Sequence, residues 1–247
     1  MFEVLTQPES YIALLTLIFL EIVLGVDNII FISIVSNKLP EEQRAKARNI
    51  GLLAALGFRI ALLLGITWII GFTKPLFTIL EHDFSGRDLI LMAGGVFLIF
   101  KSTMEVHNKM EGAELEGGSP KSASMLQVIG QIILLDIIFS FDSILTAVGL
   151  TQEIVLMVIA VVVAMIVMMT FAGQISKFIS EHPTLEILAL SFLILIGFML
   201  LIEGFHYHVP KGYIYFAVFF SLVVEILNMK IRKSRKPVKL NKRIKQD

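Results

Sequence analysis

Two stretches of this chain place acidic and small polar residues in apolar surroundings at matched spacing. Residues 21–31 read EIVLGVDNIIF, and residues 136–146 read DIIFSFDSILT. Each stretch begins with an acid, continues through five mostly apolar residues, and then has an aspartate followed by a small polar residue. An ionised carboxylate at the centre of a membrane-spanning helix costs about 2.5–3.5 kcal/mol on insertion scales, so its repetition indicates a function. The six polar positions of the pattern are Glu21, Asp27, Asn28, Asp136, Asp142 and Ser143.

The side chains at these positions suit a hard divalent cation. Carboxylate, amide and hydroxyl oxygens are the ligands that Mg²⁺, Ca²⁺ and Mn²⁺ prefer. Neither stretch contains histidine, and the whole chain contains no cysteine, so zinc and copper fit less well. The lack of cysteine also excludes disulfides, Fe–S clusters and cysteine nucleophiles. The sequence therefore predicts an oxygen-ligand cation site, and oxygen ligands leave the choice between Mn²⁺ and Ca²⁺ open.

Helix geometry brings only some of these groups together. At 100° per residue, Glu21 and Asn28 lie about 20° apart on one face, and the equivalent pair in the second stretch does the same. Asp27 lies about 100° from Asn28, so a regular helix would point it elsewhere. Gly25 and Ser140 occupy equivalent places between the acids. We hypothesise a local unwinding there, which would turn all the polar groups toward one point and free backbone carbonyls as ligands.

One cation, Arg59, lies midway through the second long apolar run, and it has two interpretations. Its charge could occupy the acid site when metal is absent and so help to reset a transporter. Alternatively, it could form a static salt bridge that holds the helices together. The sequence leaves both open.

The polar stretches belong to a strongly apolar chain. Its 247 residues are 56% hydrophobic and 17% charged, with a mean hydropathy of +0.82, whereas soluble domains are about 45–50% apolar and about 25% charged. Seven apolar runs approach or exceed the roughly 20 residues that a bilayer-spanning helix needs. They are residues 11–36, 50–72, 88–104, 125–150, 154–172, 185–203 and 212–229. We predict an all-α polytopic membrane helix bundle with about seven transmembrane helices.

The matched stretches recur 115 positions apart on the first and fourth runs, which cross the membrane in opposite directions. The chain is therefore predicted to contain two inverted three-helix repeats and one extra helix, within a single transmembrane domain over residues 1–247. Inverted repeats are typical of secondary transporters, which bind substrate near the bilayer midplane at the repeat interface. We assign repeat A to about 11–104, an acidic linker to about 105–124, repeat B to about 125–203, the extra helix to about 212–229 and a basic tail to 230–247.

The distribution of positive charge predicts the orientation in the membrane. With these spans, 17 Lys and Arg residues fall on one side and three on the other, and the richer side of a membrane protein faces the cytoplasm. We therefore expect the N-terminus outside and the C-terminus in the cytoplasm. Residues 1–10 contain no Lys or Arg, so no cleaved signal peptide is expected. The basic tail is interpreted as a topology anchor beside the lipid bilayer, and no nucleic-acid partner is expected.

The chain resembles the TerC family of integral membrane proteins, which is related to the LysE transporter superfamily. The resemblance is carried by residues 21–28 and 136–143, by Arg59, by His182 and Pro183, and by residues 208–216, and it extends to about residue 228. The chain looks like a short form without cytoplasmic regulatory domains. The resemblance implies manganese efflux across the cytoplasmic membrane, or delivery of manganese to exported proteins. By position, it implies that the metal carboxylates are Glu21, Asp27, Asp136 and Asp142. It also implies that Asn28 and Ser143 are possible neutral ligands.

The leading hypothesis is a multi-pass protein of the cytoplasmic (inner) membrane that exports manganese as a secondary transporter. Mn²⁺ or a similar hard divalent cation would be the transported substrate, and no resident cofactor is expected. An enzyme is not expected, since the chain has no Gly-x-Ser-x-Gly, His-Glu-x-x-His or P-loop motif. Three alternatives stay open: a membrane partner that delivers metal to exported proteins, a Ca²⁺ transporter, and a role in tellurium resistance. A homo-oligomer and a partner in the secretion machinery are compatible with each of them.

Other polar residues are predicted to be structural. Glu203 lies near a span end, where long side chains reach the interface, and Asp88 and Glu186 begin spans where the helix dipole favours acids. His206 and His208 are separated by one residue in an outer loop. They are interpreted as part of an interfacial loop, with weak metal binding as the alternative.

Overall fold

The computed structural model describes residues 8–79, 82–110, 124–207 and 209–233. The elements over these ranges are α1 Pro8–Ser36, α2 Glu41–Leu64, α3 Ile66–Gly71, β1 Pro75–Ile79, β2 His82–Ser85, α4 Gly86–Met110, α5 Met125–Leu150, α6 Ile154–Glu181, α7 Pro183–Gly204 and α8 Lys211–Lys233. Seven of these helices, all but α3, have the length and hydropathy of a membrane span. The predicted all-α polytopic bundle is confirmed, with one small hairpin added to it.

Several helices extend beyond the apolar runs that predict them. α2 begins at Glu41 rather than at residue 50, which adds the three Arg and Lys residues between positions 44 and 48 to the helix. α4 and α6 likewise continue to Met110 and Glu181, past the expected ends at 104 and 172. Hydropathy marks only the part of a helix that fits the hydrocarbon, and Glu, Lys and Arg are good helix formers outside it.

The second expected span, residues 50–72, is divided. α2 ends at Leu64, the short helix α3 follows Gly65, and a hairpin of β1 and β2 then leads into α4. The strands pair in antiparallel register, with Phe77 opposite Phe84. The sequence pattern does not predict this hairpin, because strands of four and five residues are too short for a periodic signal to stand out.

The helices within residues 8–207 pack in pairs that relate the two halves of the chain. α1 packs mainly on α6, α2 mainly on α5, and α4 mainly on α7. In the predicted repeats, α1 corresponds to α5, α2 to α6, and α4 to α7. Replacing each helix by its counterpart gives the same three pairs, as expected for repeats related by an axis in the membrane plane. Two clusters of buried apolar side chains lie between the helices. The first includes Ile32 and Leu135, and the second includes Leu17 and Ile144.

The chain divides into two compact units between Val209 and Pro210. The second unit contains α8, whose residues 212–231 have the hydropathy of a membrane span. The rings of Phe216 and Phe220 stack along this helix with centroids 6.2 Å apart. α8 corresponds to the predicted extra helix.

α4 and α7 cross at two glycines. A Cβ atom on Gly95 would lie 2.5 Å from the Gly197 carbonyl oxygen, and one on Gly197 would lie 2.8 Å from the Gly95 carbonyl oxygen. The two backbones are therefore in contact, which small residues allow in pairs of membrane helices. Any side chain at either position would hold the helices apart.

Ion pairs lie toward both ends of the α4–α7 pair. Arg87 Nη2 lies 2.8 Å from Glu203 Oε1, and Lys109 Nζ lies 2.8 Å from Glu186 Oε1. Both acids therefore link the two helices, in agreement with the structural roles expected for them.

We expect Gly95→Ala to destabilise the bundle. The added methyl group meets backbone rather than a flexible side chain, so α4 and α7 must separate, at a cost of about 1–3 kcal/mol for overpacking. Thermal melting of the purified protein in detergent measures this cost. Gly57→Ala is the matched control, because the space around a Cβ there is open and alanine stabilises a helix by about 1 kcal/mol relative to glycine. Equal melting temperatures for the two variants would contradict the close crossing.

Candidate cation site

Three helices bring the polar side chains of the matched stretches together. α1 carries Glu21 and Asn28, α5 carries Asp136 and Ser143, and α2 carries Arg59. All five residues are buried, with 3–5% of their surface exposed. Polar and charged groups removed from water are stable only with partners, and here they provide partners for one another.

Arg59 bridges the two repeats. Its Nη1 donates to Glu21 Oε2 at 2.5 Å, and its Nη2 donates to Asp136 Oδ1 at 2.8 Å. Its Nε donates to Ser140 Oγ at 2.9 Å, and this hydroxyl donates to Asp136 Oδ2 at 3.1 Å. All three guanidinium nitrogens donate a hydrogen bond. The planar arginine side chain permits this, whereas lysine has a single donor nitrogen.

Ser140 is a site residue that the sequence analysis did not assign. The available signal was its position, since it lies one helical turn after Asp136 and at the place equivalent to Gly25. A serine at this position is compatible with an ordinary apolar run, so its role is evident only once its partner is known.

Asn28 and Ser143 border the bridge. Asn28 Nδ2 lies 3.5 Å from Asp136 Oδ1, at the limit of a hydrogen bond, and Ser143 Oγ donates to the Ser140 carbonyl oxygen at 3.3 Å. Asn28 Oδ1 is buried and accepts no hydrogen bond from any described residue. A buried oxygen without a donor is uncommon, and it is chemically suited to a hard cation.

The other two predicted carboxylates, Asp27 and Asp142, lie on α1 and α5, but their side chains fall outside the described part of the structure. Among the described side chains, no three His, Cys, Asp or Glu residues converge on one point. The described site is thus two carboxylates, Glu21 and Asp136, with a guanidinium between them. The roles of Asp27 and Asp142 stay predictions.

The hypothesis of local unwinding is wrong for this structure. α1 is helical throughout residues 21–28, and α5 is helical throughout residues 136–143. In hydrocarbon, backbone groups have no water to replace a lost hydrogen bond, so an unbroken helix is the less costly arrangement. The polar groups meet because three helices cross, and no turn of helix opens to bring them together.

The two repeats differ in what faces the acid-bearing helix. Ser140 on α5 faces Arg59 of α2, whereas at the equivalent position on α1 a Cβ on Gly25 would overlap Met168 Sδ of α6. Gly25 thus packs against Met168 in one half, whereas Ser140 bonds to Arg59 in the other. The first half of the chain supplies Arg59 as the cation for both Glu21 and Asp136. Because Asp136 belongs to the second half, the bridge crosses the repeat interface.

His206 lies beside the hairpin, away from the matched stretches. Its Nε2 lies 2.8 Å from the Asp83 carbonyl oxygen and 3.2 Å from Asp88 Oδ2. Asp88 Oδ2 also accepts from the backbone and hydroxyl of Ser85 at 2.9 and 2.6 Å, which caps the start of α4. These contacts agree with a structural loop, and His208 lies outside the described residues.

The matched acid stretches, the seven spans and the buried bridge extend over most of the chain. The integral membrane protein TerC family matches residues 6–239. The chain belongs to the TerC family. The match covers both acid-bearing helices and Arg59, so the family resemblance seen in the sequence is confirmed.

Several bacterial proteins are similar to this chain. The UPF0053 inner membrane protein YgdQ of Escherichia coli K12 is 53% identical over 238 residues, which are 96% of this chain and all of the relative. A UPF0053 protein of Haemophilus influenzae is 49% identical over 237 residues, again all of the relative. The UPF0053 inner membrane protein YoaE of Escherichia coli K12 is 47% identical over 233 residues, which are 45% of that protein. No solved structure matches the chain.

Proposed function

We propose that this TerC-family protein transports divalent metal cations and that it exports manganese across the cytoplasmic membrane. The observation that carries the proposal is the buried bridge from Glu21 through Arg59 to Asp136. It joins one carboxylate from each half of the chain at their interface, where secondary transporters bind their substrates. Transport is therefore favoured over an enzymatic reaction.

The bridge suits the exchange of one cation for another. Two ionised carboxylates and one guanidinium leave a net negative charge, and the oxygens that accept from Arg59 are the atoms that a metal ion would bind. Displacing Arg59 without a replacement would leave two like charges buried, which is strongly unfavourable. A divalent cation supplies the replacement, and Arg59 returns when the ion leaves, which is the resetting role considered for it above.

The ligand chemistry favours a hard cation. Asn28 Oδ1 supplies a neutral oxygen next to Asp136, and we propose that Asp27 and Asp142 complete the set. Carboxylate and amide oxygens bind Mn²⁺ well. The choice of manganese and of export comes from the family resemblance.

The proposed orientation has the N-terminus outside and the C-terminus in the cytoplasm. It follows from the Lys and Arg bias, and two of the relatives are named inner membrane proteins. α1 then runs inward and α5 outward, so each repeat brings its carboxylate to the interface from the opposite side.

The test of this function is Mn²⁺ flux into and out of liposomes that contain the purified protein. Wild type is compared with Asp27→Asn and Asp142→Asn under a pH gradient and a membrane potential, and Asp83→Asn in the hairpin is the matched control. We expect flux in wild type and control and its loss in both site variants. Substituting Ca²⁺ for Mn²⁺ distinguishes the two substrates. A folded wild type without flux would contradict transport and would favour metal delivery to a partner.

A further inference from the structure

Phe31 of α1 lines two small gaps in the packing of the helices. The first, which we call the chamber, adjoins the candidate site, has no room for a water molecule in this structure, and is lined by Phe31 together with Asn28, Ile132 and Asp136. The second, which we call the cleft, lies nearer the C-terminal end of α1 and is lined by Phe31 together with Lys38, Lys101, Ser102 and Glu105. The Phe31 ring is shared by both cavities, and the residue is only 3% exposed.

A buried oxygen without a hydrogen-bond partner among the described residues lies on each side of Phe31 along the chain. Asn28 Oδ1 belongs to the candidate site and Ser102 Oγ lies on the side of the cleft, and neither is bonded to any described residue. Ser102 is 1% exposed. Most buried polar atoms in proteins are paired, so two unpaired oxygens on either side of one aromatic ring indicate a polar route that the ring interrupts.

The spacing along α1 fits such a route. Asn28, Phe31 and Val35 follow one another at intervals of about one turn and so lie on one face of the helix. At 1.5 Å per residue, the cleft at Val35 begins about 10 Å from Asn28. The route from the candidate site to the end of the helix is therefore short, and Phe31 is the large side chain in its middle.

An ion pair closes the outer end of the cleft. Lys38, two residues past the end of α1, contacts Glu105 of α4, and Lys101 lines the same cleft. Two lysines against one glutamate leave a net positive charge, so the cleft repels a free cation while the pair is intact. Separating Lys38 from Glu105 would free a carboxylate beside the Ser102 hydroxyl, and these oxygens suit a hard divalent cation.

We infer that the cleft is the access route to the candidate site from the end of the bundle where α1 terminates, and that Phe31 is its gate. The Lys38–Glu105 pair holds α1 against α4 in the closed state. Glu105 and Ser102 form an outer station for a divalent cation when the pair separates. The identity of the ion rests on the proposed transport function, whereas access past Phe31 is measurable without any metal.

Labelling of single cysteines tests the route, and the natural chain contains no cysteine that would interfere. Ser102→Cys reports on the cleft, Ile132→Cys on the chamber, and Ile144→Cys on the separate apolar cluster that includes Leu17. Ile132 and Ile144 are matched, since each is 1% exposed. Each variant is reconstituted in liposomes and treated with a small cationic methanethiosulfonate reagent, with and without Phe31→Ala.

While Phe31 is present, we expect Ser102→Cys to react faster than Ile132→Cys, because Ser102 becomes accessible whenever Lys38 and Glu105 separate, whereas Ile132 stays behind Phe31. Phe31→Ala should raise the labelling rate of Ile132→Cys by about tenfold or more, which corresponds to about 1.4 kcal/mol in the opening equilibrium. The rate for Ile144→Cys should not change. An unchanged rate for Ile132→Cys, or an equal rise for Ile144→Cys, would overturn the proposal.

Glu105→Gln provides a second way to open the route in case Phe31→Ala does not fold. This substitution weakens the pair with Lys38 without touching the core, and it should also raise the labelling rate of Ile132→Cys. An unchanged rate in Glu105→Gln, together with an unreactive Ser102→Cys, would show that the cleft is not the access route. These labelling results do not depend on Mn²⁺ flux, so failure of the route and failure of the transport function can be distinguished.

Discussion

Arg59→Gln is expected to make the stability of this protein depend on a divalent cation. The substitution leaves Glu21 and Asp136 buried without the charge between them, and removing one partner of a buried ion pair costs about 3–5 kcal/mol. A bound cation restores the balance of charge. At about 100 times its dissociation constant, a ligand stabilises the folded state by about 2.7 kcal/mol, which corresponds to a rise of about 5–11 °C in melting temperature for a chain of this size.

Melting of wild type and Arg59→Gln in detergent, with and without Mn²⁺, measures this effect. The shift should be larger in the variant, because in wild type the ion must first displace the guanidinium. The double variant Arg59→Gln with Asp136→Asn is the control, since it removes one of the two like charges and with it much of the instability. Retained Mn²⁺ turnover by folded Arg59→Gln would contradict the resetting role and leave the static salt bridge.

Asp136→Asn is expected to abolish binding of the proposed divalent cation while preserving the fold. Asp136 Oδ1 accepts from Arg59 and lies next to Asn28 Nδ2, so it is the acceptor that both α1 and α2 approach. Asparagine keeps the shape of the side chain, and Arg59 keeps Glu21 as its counter-ion. Loss of an outer-shell partner alone costs roughly 10–100-fold in metal affinity, so loss of a charged ligand should cost more.

Calorimetric titration of the purified protein with Mn²⁺ checks this result. Asp88→Asn is the matched control, because it makes the same change at a carboxylate that is 2% exposed but caps α4. Its Mn²⁺ affinity should equal that of wild type. Unchanged affinity in Asp136→Asn, or equal losses in both variants, would place the cation elsewhere.

The sequence by itself determined the class of this protein and predicted most of the residues that meet at the candidate site. Apolar runs of about 20 residues become helices in a bilayer, because backbone groups there have no other partners. Glu21 and Asp136 were identifiable because intramembrane charge is too costly to occur twice in one pattern without use. The predicted ends of α2, α4 and α6 were less accurate, because charged residues beyond the hydrocarbon continue a helix without any hydropathy signal.

Only the tertiary structure decided which partner each polar group has. Arg59 bonds to Ser140, 81 positions away, and no local pattern around either residue specifies that distance. Ser140 and Gly25 are equivalent in sequence, yet one faces Arg59 and the other faces Met168, because the facing helices differ. The acids meet because α1, α2 and α5 cross. This arrangement leaves the helices unbroken in a region where water cannot replace a lost backbone hydrogen bond. Local spacing alone suggested unwinding because it contains no information about the neighbouring helices.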